Sequence, residues 1–154
     1  MKIIKAVCGK DIIVDDADLN RLIEHSWYIK SARNTFYAFT LINGKEIRMH
    51  ILILNISDKK QQIDHKDGNG LNNSKTNLRP CTHGQNGQNK SGYGKSKYKG
   101  VTLESGKWRA RLIINGKKTS LGTFAKEEDA ANAVNKAIEE SGNSFYRRNI
   151  IPNN

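Results

Sequence analysis

Residues 64–90 hold six Asn and four Gly, and Leu71, Leu78 and Cys81 are the only clearly apolar side chains among them. A stretch this polar cannot bury enough surface to order itself. Either it is a disordered loop, or a metal ion or a hydrogen-bonded network holds it in place. The flanks read differently. Residues 1–63 mix apolar and polar side chains, and regular patterning resumes at Tyr98. Between them, Asn89–Lys97 carries Gly, Ser and three Lys with no acid, the composition of a flexible spacer or of a basic strap lying along phosphates. The chain therefore divides into an N-terminal region (1–90, with the polar motif at 62–90), a basic linker (91–97) and a C-terminal module with a tail (98–154).

Charge names a class of partner. The 154 residues carry a net charge of +11, split as +5 over residues 1–90 and +6 over 91–154. Nucleic acids, ribosomes and anionic membranes all attract such a chain. The longest unbroken aliphatic stretch, Ile51–Leu54, is far short of the ~20 residues that span a bilayer, and the start lacks a secretory apolar run. Cys8 and Cys81 form no Cys-x-x-Cys pair, which argues against disulfide scaffolds and cysteine-built zinc modules. A soluble, cytoplasmic setting is expected.

The pattern predicts an α+β chain. Ile12–Val14 reads as a strand, and Asp15 or Asp16 caps a helix running to about His25. Trp27–Ile53 is mostly strand-like, with Asn43-Gly44 as a hairpin turn, because both central positions of that turn need positive φ. Tyr98–Leu103, Lys107–Ile114 and Lys117–Phe124 read as three strands joined at Ser105-Gly106 and Asn115-Gly116. A helix follows from about Lys126 to Glu140, with Glu127, Glu128 and Asp129 on its positive end and Gly142 as its stop. Its apolar stripe is Ala130, Val134, Ala137 and Ile138.

Within the polar stretch, Gln62–His65 and Leu78–Arg79 suit two short antiparallel strands, and Thr82–Asn89 the start of a helix. Asp64 and Asn86 then face one hydrated cation. Both offer hard oxygen, which suits Mg²⁺ or Mn²⁺ better than Zn²⁺. His65 stands beside it, able to take a proton from water near neutral pH, and Asn77 holds the loop and orients the imidazole. His83, one turn before Asn86, touches the metal or a phosphate, or simply faces solvent. Lys66 and Arg79 suit phosphates. His25 and His50 lie among apolar residues and read as packing groups.

Asp64-His65-x-Asp67-Gly68-Asn69, Asn72-Asn73, Asn77-Leu78-Arg79 and Thr82-His83-x-x-Asn86 together resemble the HNH motif, in its His-Asn-Asn variant, of phage and intron homing endonucleases. Arg48-Met49-His50 is similar to the sequence preceding the motif in such proteins. The resemblance implies a ββα-metal fold, with His65 as general base, Asp64 and Asn86 as metal ligands and Asn77 as the structural asparagine. Asn86 stands where many family members have histidine, which favours Mg²⁺ over transition metals.

In the C-terminal module, alternation sends Trp108, Ala110, Leu112 and Ile114 toward the helix and Lys107, Arg109 and Arg111 away from it. Lys118 joins the outer face through the second turn, and Lys99 from the first strand. Such a face suits the major groove, where Arg pairs with guanine O6 and N7. Tyr98-Lys99-Gly100-Val101, Gly106-Lys107-Trp108-x-Ala110, Leu121-Gly122-Thr123-Phe124 and Glu127-Glu128-x-Ala130-Ala131 resemble the DNA-binding domain of plant ethylene-response factors, the Apetala-two type. That resemblance implies a three-stranded sheet in the major groove backed by one helix. Thr102, Glu104 and Ser120 replace arginines of the plant pattern, so the plant target does not transfer.

Together these features predict a small phage-type HNH endonuclease acting on double-stranded DNA in a bacterial host, with Mg²⁺ or Mn²⁺ as cofactor. No membrane attachment is expected, and no obligate protein partner is evident in the sequence. The competing readings are a DNA-binding regulator whose motif is only structural, and an RNA-binding basic protein.

Overall fold

A computed structural model describes residues 1–32, 35–58, 60–89, 95–114 and 116–152, and they form two compact units, Met1–Asn86 and Gly87–Asn154. The first unit opens with β1 (Lys2–Lys5) and β2 (Asp11–Val14), paired antiparallel so that Ile4, Ile12 and Val14 enter the core. The sequence signals β2 but not β1. Helix α1 (Asp16–Leu22) starts after Asp15 and stops short of His25. The Trp27 indole, 1% exposed, donates to the Leu22 carbonyl at 2.8 Å and fixes the chain after the helix.

A three-stranded antiparallel sheet follows, β3 (Tyr28–Ala32), β4 (Thr35–Ile42) and β5 (Lys45–Arg48), with β4 central. Asn43 and Gly44 make its turn at φ 50° and 73°, as their residue types require. The strand-like reading fails beyond Arg48, because Met49–Leu54 is helix α2. Its buried residues are Met49, His50 and Ile53, a spacing that only a helix gathers on one face, and Asn55 ends it in the left-handed region. A short apolar run does not distinguish the two states by itself.

The polar stretch forms β6 (Gln62–His65), β7 (Leu78–Cys81) and α3 (His83–Gln88). The strands pair antiparallel with Asp64 opposite Arg79, and β7 runs two residues further than expected, through Pro80. The long connection between them is fastened to the apolar core. Ile13 N–H donates to Leu71 C=O and Asn73 N–H to Ile13 C=O, at 2.9 and 2.8 Å. Lys75 N–H is received by Asp15, Gly70 N–H by Thr35 Oγ1, and Leu78 enters the core. Gly70 is required there, since a Cβ would lie 2.3 Å from the Phe36 carbonyl and 2.7 Å from the Tyr37 ring. A hydrogen-bonded network therefore orders the segment.

In the second unit, β8 (Val101–Glu104), β9 (Lys107–Ile114) and β10 (Lys117–Phe124) form an antiparallel sheet with β9 central. Helix α4 (Glu127–Ser141) packs Ala130, Ala131, Val134, Ala137 and Ile138 against it, and ends at Gly142. The register slips between Ser120 and Gly122, a bulge at Leu121. The expected turn residue Asn115 and residues 91–94 of the expected linker lie outside the described residues. Ser96 and Lys97, also assigned to that linker, are held by α4: Ser96 Oγ and Lys97 N–H both donate to Glu127 Oε1. The first strand begins at Val101 instead of Tyr98, because Tyr98 is a core residue ahead of the sheet. No helix among the described residues is long and apolar enough to cross a membrane.

Candidate active site

Alternation along β6 gives Asp64 and His65 different neighbours. Asp64 Oδ2 receives Arg79 Nε at 2.8 Å and Nη2 at 2.7 Å from across the ladder, and both side chains are largely buried. Arg79, expected at a phosphate, thus engages Asp64 with its guanidinium. Lys66 likewise turns its ammonium to the Thr76 carbonyl at 2.6 Å.

His65 is 4% exposed. Its ring centroid lies 5.1 Å from that of His50 and 5.6 Å from that of Tyr37, and His50 and Tyr37 are 5.9 Å apart. Arg48 stands over the Tyr37 ring. The imidazole meets Asn73, whose Oδ1 is 3.4 Å from Nε2. A carbonyl oxygen only accepts, so Nε2 carries the proton and the lone pair of the neutral ring sits on Nδ1. Burial lowers the pKa of His65, opposed by the Asn73 bond and by the charges of Asp67 and Asp64, so the ring is neutral near pH 7. His50 is pushed down to about 3 by burial, with smaller contributions from His65 and Arg48.

The expectation for Asn77 divides. Its Oδ1 receives Asp67 N–H at 3.0 Å, and its Nδ2 donates to Asp67 Oδ1 at 3.0 Å and to Asn72 C=O at 2.8 Å. Asn77 therefore holds the loop. It does not orient the imidazole, and Asn73 takes that place. Asn69 and Asn72 extend the network through Asp67.

Gln62 joins the other two expected residues to the same strand. Its amide oxygen receives Asn86 Nδ2 at 3.0 Å and its amide nitrogen meets His83 Nδ1 at 3.2 Å. Gln62 and Asp64, two apart on β6, project to one face, so Asn86 and His83 stand on the Asp64 side. Asn86 commits its nitrogen, and its Oδ1, a hard donor, carries no bond among the described residues. Among the described residues no group of three or more His, Cys, Asp or Glu is arranged to hold a metal ion. A carboxylate and an amide oxygen suit a Mg²⁺ that keeps most of its waters, whereas Zn²⁺ takes nitrogen and sulfur.

Sequence reasoning missed Gln62, Asn73, Tyr37 and the proximity of His50. One overlooked signal is local: Thr82-x-x-Gln85 is a capping box, with Thr82 Oγ1 receiving Gln85 N–H and Gln85 Oε1 receiving Thr82 N–H. It starts α3 and so positions Asn86.

On the second unit, Lys107, Arg109, Arg111 and Lys118 share the outer face of the sheet as the register requires. Lys99 does not join them. It lies before β8, and its ammonium donates to the Gly87 and Gln88 carbonyls and stands over the Tyr146 ring. The face is also less free of acid than expected. Glu104 pairs with Arg109 at 3.0 Å and with Arg111.

No family model and no solved structure matches the chain. It is 37% identical over 90 residues to an uncharacterized HNH endonuclease of Acanthamoeba polyphaga mimivirus, over 58% of this chain and 47% of that one. The chain thus spans about half the length of this relative. The similarity supports an HNH endonuclease relationship for the mixed α+β chain.

Proposed function

We propose that this chain is a metal-dependent HNH homing-type endonuclease that hydrolyses phosphodiester bonds in duplex DNA. A nuclease-type function in general is supported by the viral relative, an uncharacterized HNH endonuclease by name. The observation that carries the finer reading is geometric: His65, held at Nε2 by Asn73, stands next to Asp64 on a two-stranded ladder followed by a helix bearing Asn86. His65 takes a proton from the attacking water at Nδ1, while Asn73 holds the opposite nitrogen. Asp64 and Asn86 are the residues to hold a Mg²⁺ or Mn²⁺. When bound, that ion supplies a Lewis acid at the scissile phosphate and the leaving 3′ oxygen. Asn77 keeps the loop closed around these groups. The Lys107, Arg109, Arg111 and Lys118 face, of the Apetala-two kind, anchors the enzyme on the duplex, and one motif per chain makes a monomer a nickase.

A second reading, a non-catalytic DNA-binding regulator, is favoured by two observations: the near-complete burial of His65 and the engagement of Asp64 by Arg79. Nicking of source-genome DNA with Mg²⁺ separates the two, comparing wild type, His65→Ala and an EDTA control. The endonuclease reading expects a drop of about 10²-fold or more in rate for His65→Ala, with duplex affinity unchanged. Tight binding with no Mg²⁺-dependent nicking by wild type selects the regulator.

A further inference from the structure

Arg109 and Arg111 project from the same face of β9, two residues apart, and both reach Glu104 at the end of β8. They use different edges to do so. Arg109 donates through Nη1 to Glu104 Oε2 at 3.0 Å. The edge formed by its Nε and Nη2, the pair of donors that point the same way, carries no bond among the described residues. Arg111 donates through Nη2 to Glu104 Oε1, and its Nε is buried without a hydrogen-bond partner among the described residues. Its Nε–Nη2 edge is therefore closed. The Ser120 and Thr102 positions opposite the two arginines are small and polar.

This asymmetry divides the labour between two like residues. A guanine presents O6 and N7 as adjacent acceptors in the major groove, and a guanidinium reads both with two parallel donors. Arg109 has that fork available and Arg111 does not. A carboxylate on a DNA-facing surface also opposes phosphate attraction, so its placement between two arginines has to be explained by something other than affinity. Resting on the reading of this sheet as the DNA face, we infer that Glu104 is a specificity-determining positioning residue: it fixes the two guanidiniums so that Arg109 reads a guanine while Arg111 serves as a fixed cationic support. The hydrogen bond from Arg109, and the charges of both arginines, lower the pKa of Glu104, which keeps the clamp ionised at neutral pH.

The test is selection from a random-sequence duplex pool with the full chain, followed by gel-shift titration of the enriched and the random duplexes. Wild type is expected to enrich a guanine position. Arg109→Lys loses that preference. Arg111→Lys keeps it with weaker binding to all sequences. Glu104→Gln, an isosteric change at a half-buried position, holds random duplex as tightly as wild type or tighter, because one opposing charge is gone. Its ratio of enriched to random affinity falls about ten-fold. Opposite movement of affinity and selectivity is what a purely structural or purely repulsive Glu104 does not produce. An unchanged ratio and motif in Glu104→Gln, loss of the guanine in Arg111→Lys instead of Arg109→Lys, or no guanine in the wild-type motif each overturns the assignment. Unchanged random-duplex affinity in Arg109→Ala plus Arg111→Ala shows instead that the sheet is not the DNA face, and both readings fall together.

Discussion

The β6–β7–α3 segment and the β8–β9–β10–α4 module are both small sheets followed by a helix, yet they are ordered by different forces. In the second, α4 lays Ala130, Val134, Ala137 and Ile138 on an alternating apolar face, and burial of methyl groups does most of the ordering. In the first, Leu78 and Cys81 are buried and Ile63 and Leu71 pack against the core, while Asn, Asp and backbone amides make many of the other connections. A network of that kind is directional, so each lost member leaves partners unsatisfied; an apolar interface yields more gradually. On the proposed reading, the difference matches the two tasks: polar groups held at set positions for chemistry in the first, and a sheet with a rigid back for binding in the second.

The two units can be followed separately, because Trp27 lies in the first core and Trp108 packs against the second. Asn77→Ala carries the largest expected effect. It removes three hydrogen bonds around Asp67 and Asn72, costing about 3 kcal/mol, and lowers the Trp27 transition in urea. An unshifted Trp27 midpoint, or an equal shift at Trp108, breaks the contrast. Val134→Ala comes next, at about 2 kcal/mol, read at Trp108 with Trp27 unmoved.

The third expectation concerns acid. Histidines whose folded pKa is depressed bind fewer protons than in the unfolded chain, so stability is complete above the unfolded value of 6.5 and falls as the pH drops toward about 3. His50 and His65 share this sign. Between pH 6.5 and 5, above the carboxylate range, the Trp27 transition loses up to about 1.4 kcal/mol per pH unit through His50, and His65 adds in the same direction. The Trp108 transition, with no histidine in its unit, stays flat in that interval. His50→Phe shallows the slope at Trp27; an unaltered slope removes His50 from the account.

Legibility in the sequence follows the range of the interactions. Alternation and turn chemistry are local, which is why β9, β10, the Asn43-Gly44 turn and the α4 stripe are readable residue by residue. Helix α2 escapes such a reading because Met49–Leu54 is apolar apart from His50, and only the core that receives Met49, His50 and Ile53 chooses between helix and strand. Asn77 holds the loop as its spacing predicts, yet it is not the partner of the imidazole. Amide residues at several loop positions compete for that place, and Asn73 takes it. Lys99 and Arg79 show the same limit for charge. Sequence marks a cation but not the carbonyls or carboxylate that engage it.

By itself, then, the sequence determined the α+β character, the split between a polar motif and an apolar module, and the gathering of Asp64, His65, Asn77 and Asn86 into one short region. Spacing along the chain and the periods of strand and helix suffice for that. Tertiary structure decided the company those residues keep: His65 against His50 and Tyr37, Asp64 with Arg79, Asn86 through Gln62, and Glu104 between two arginines. Those contacts join residues that lie apart in the chain, so packing sets them and no local pattern encodes them. Tyr37 and His65 meet because Gly70, with no Cβ to collide with the Phe36 carbonyl, lets the loop lie against β4.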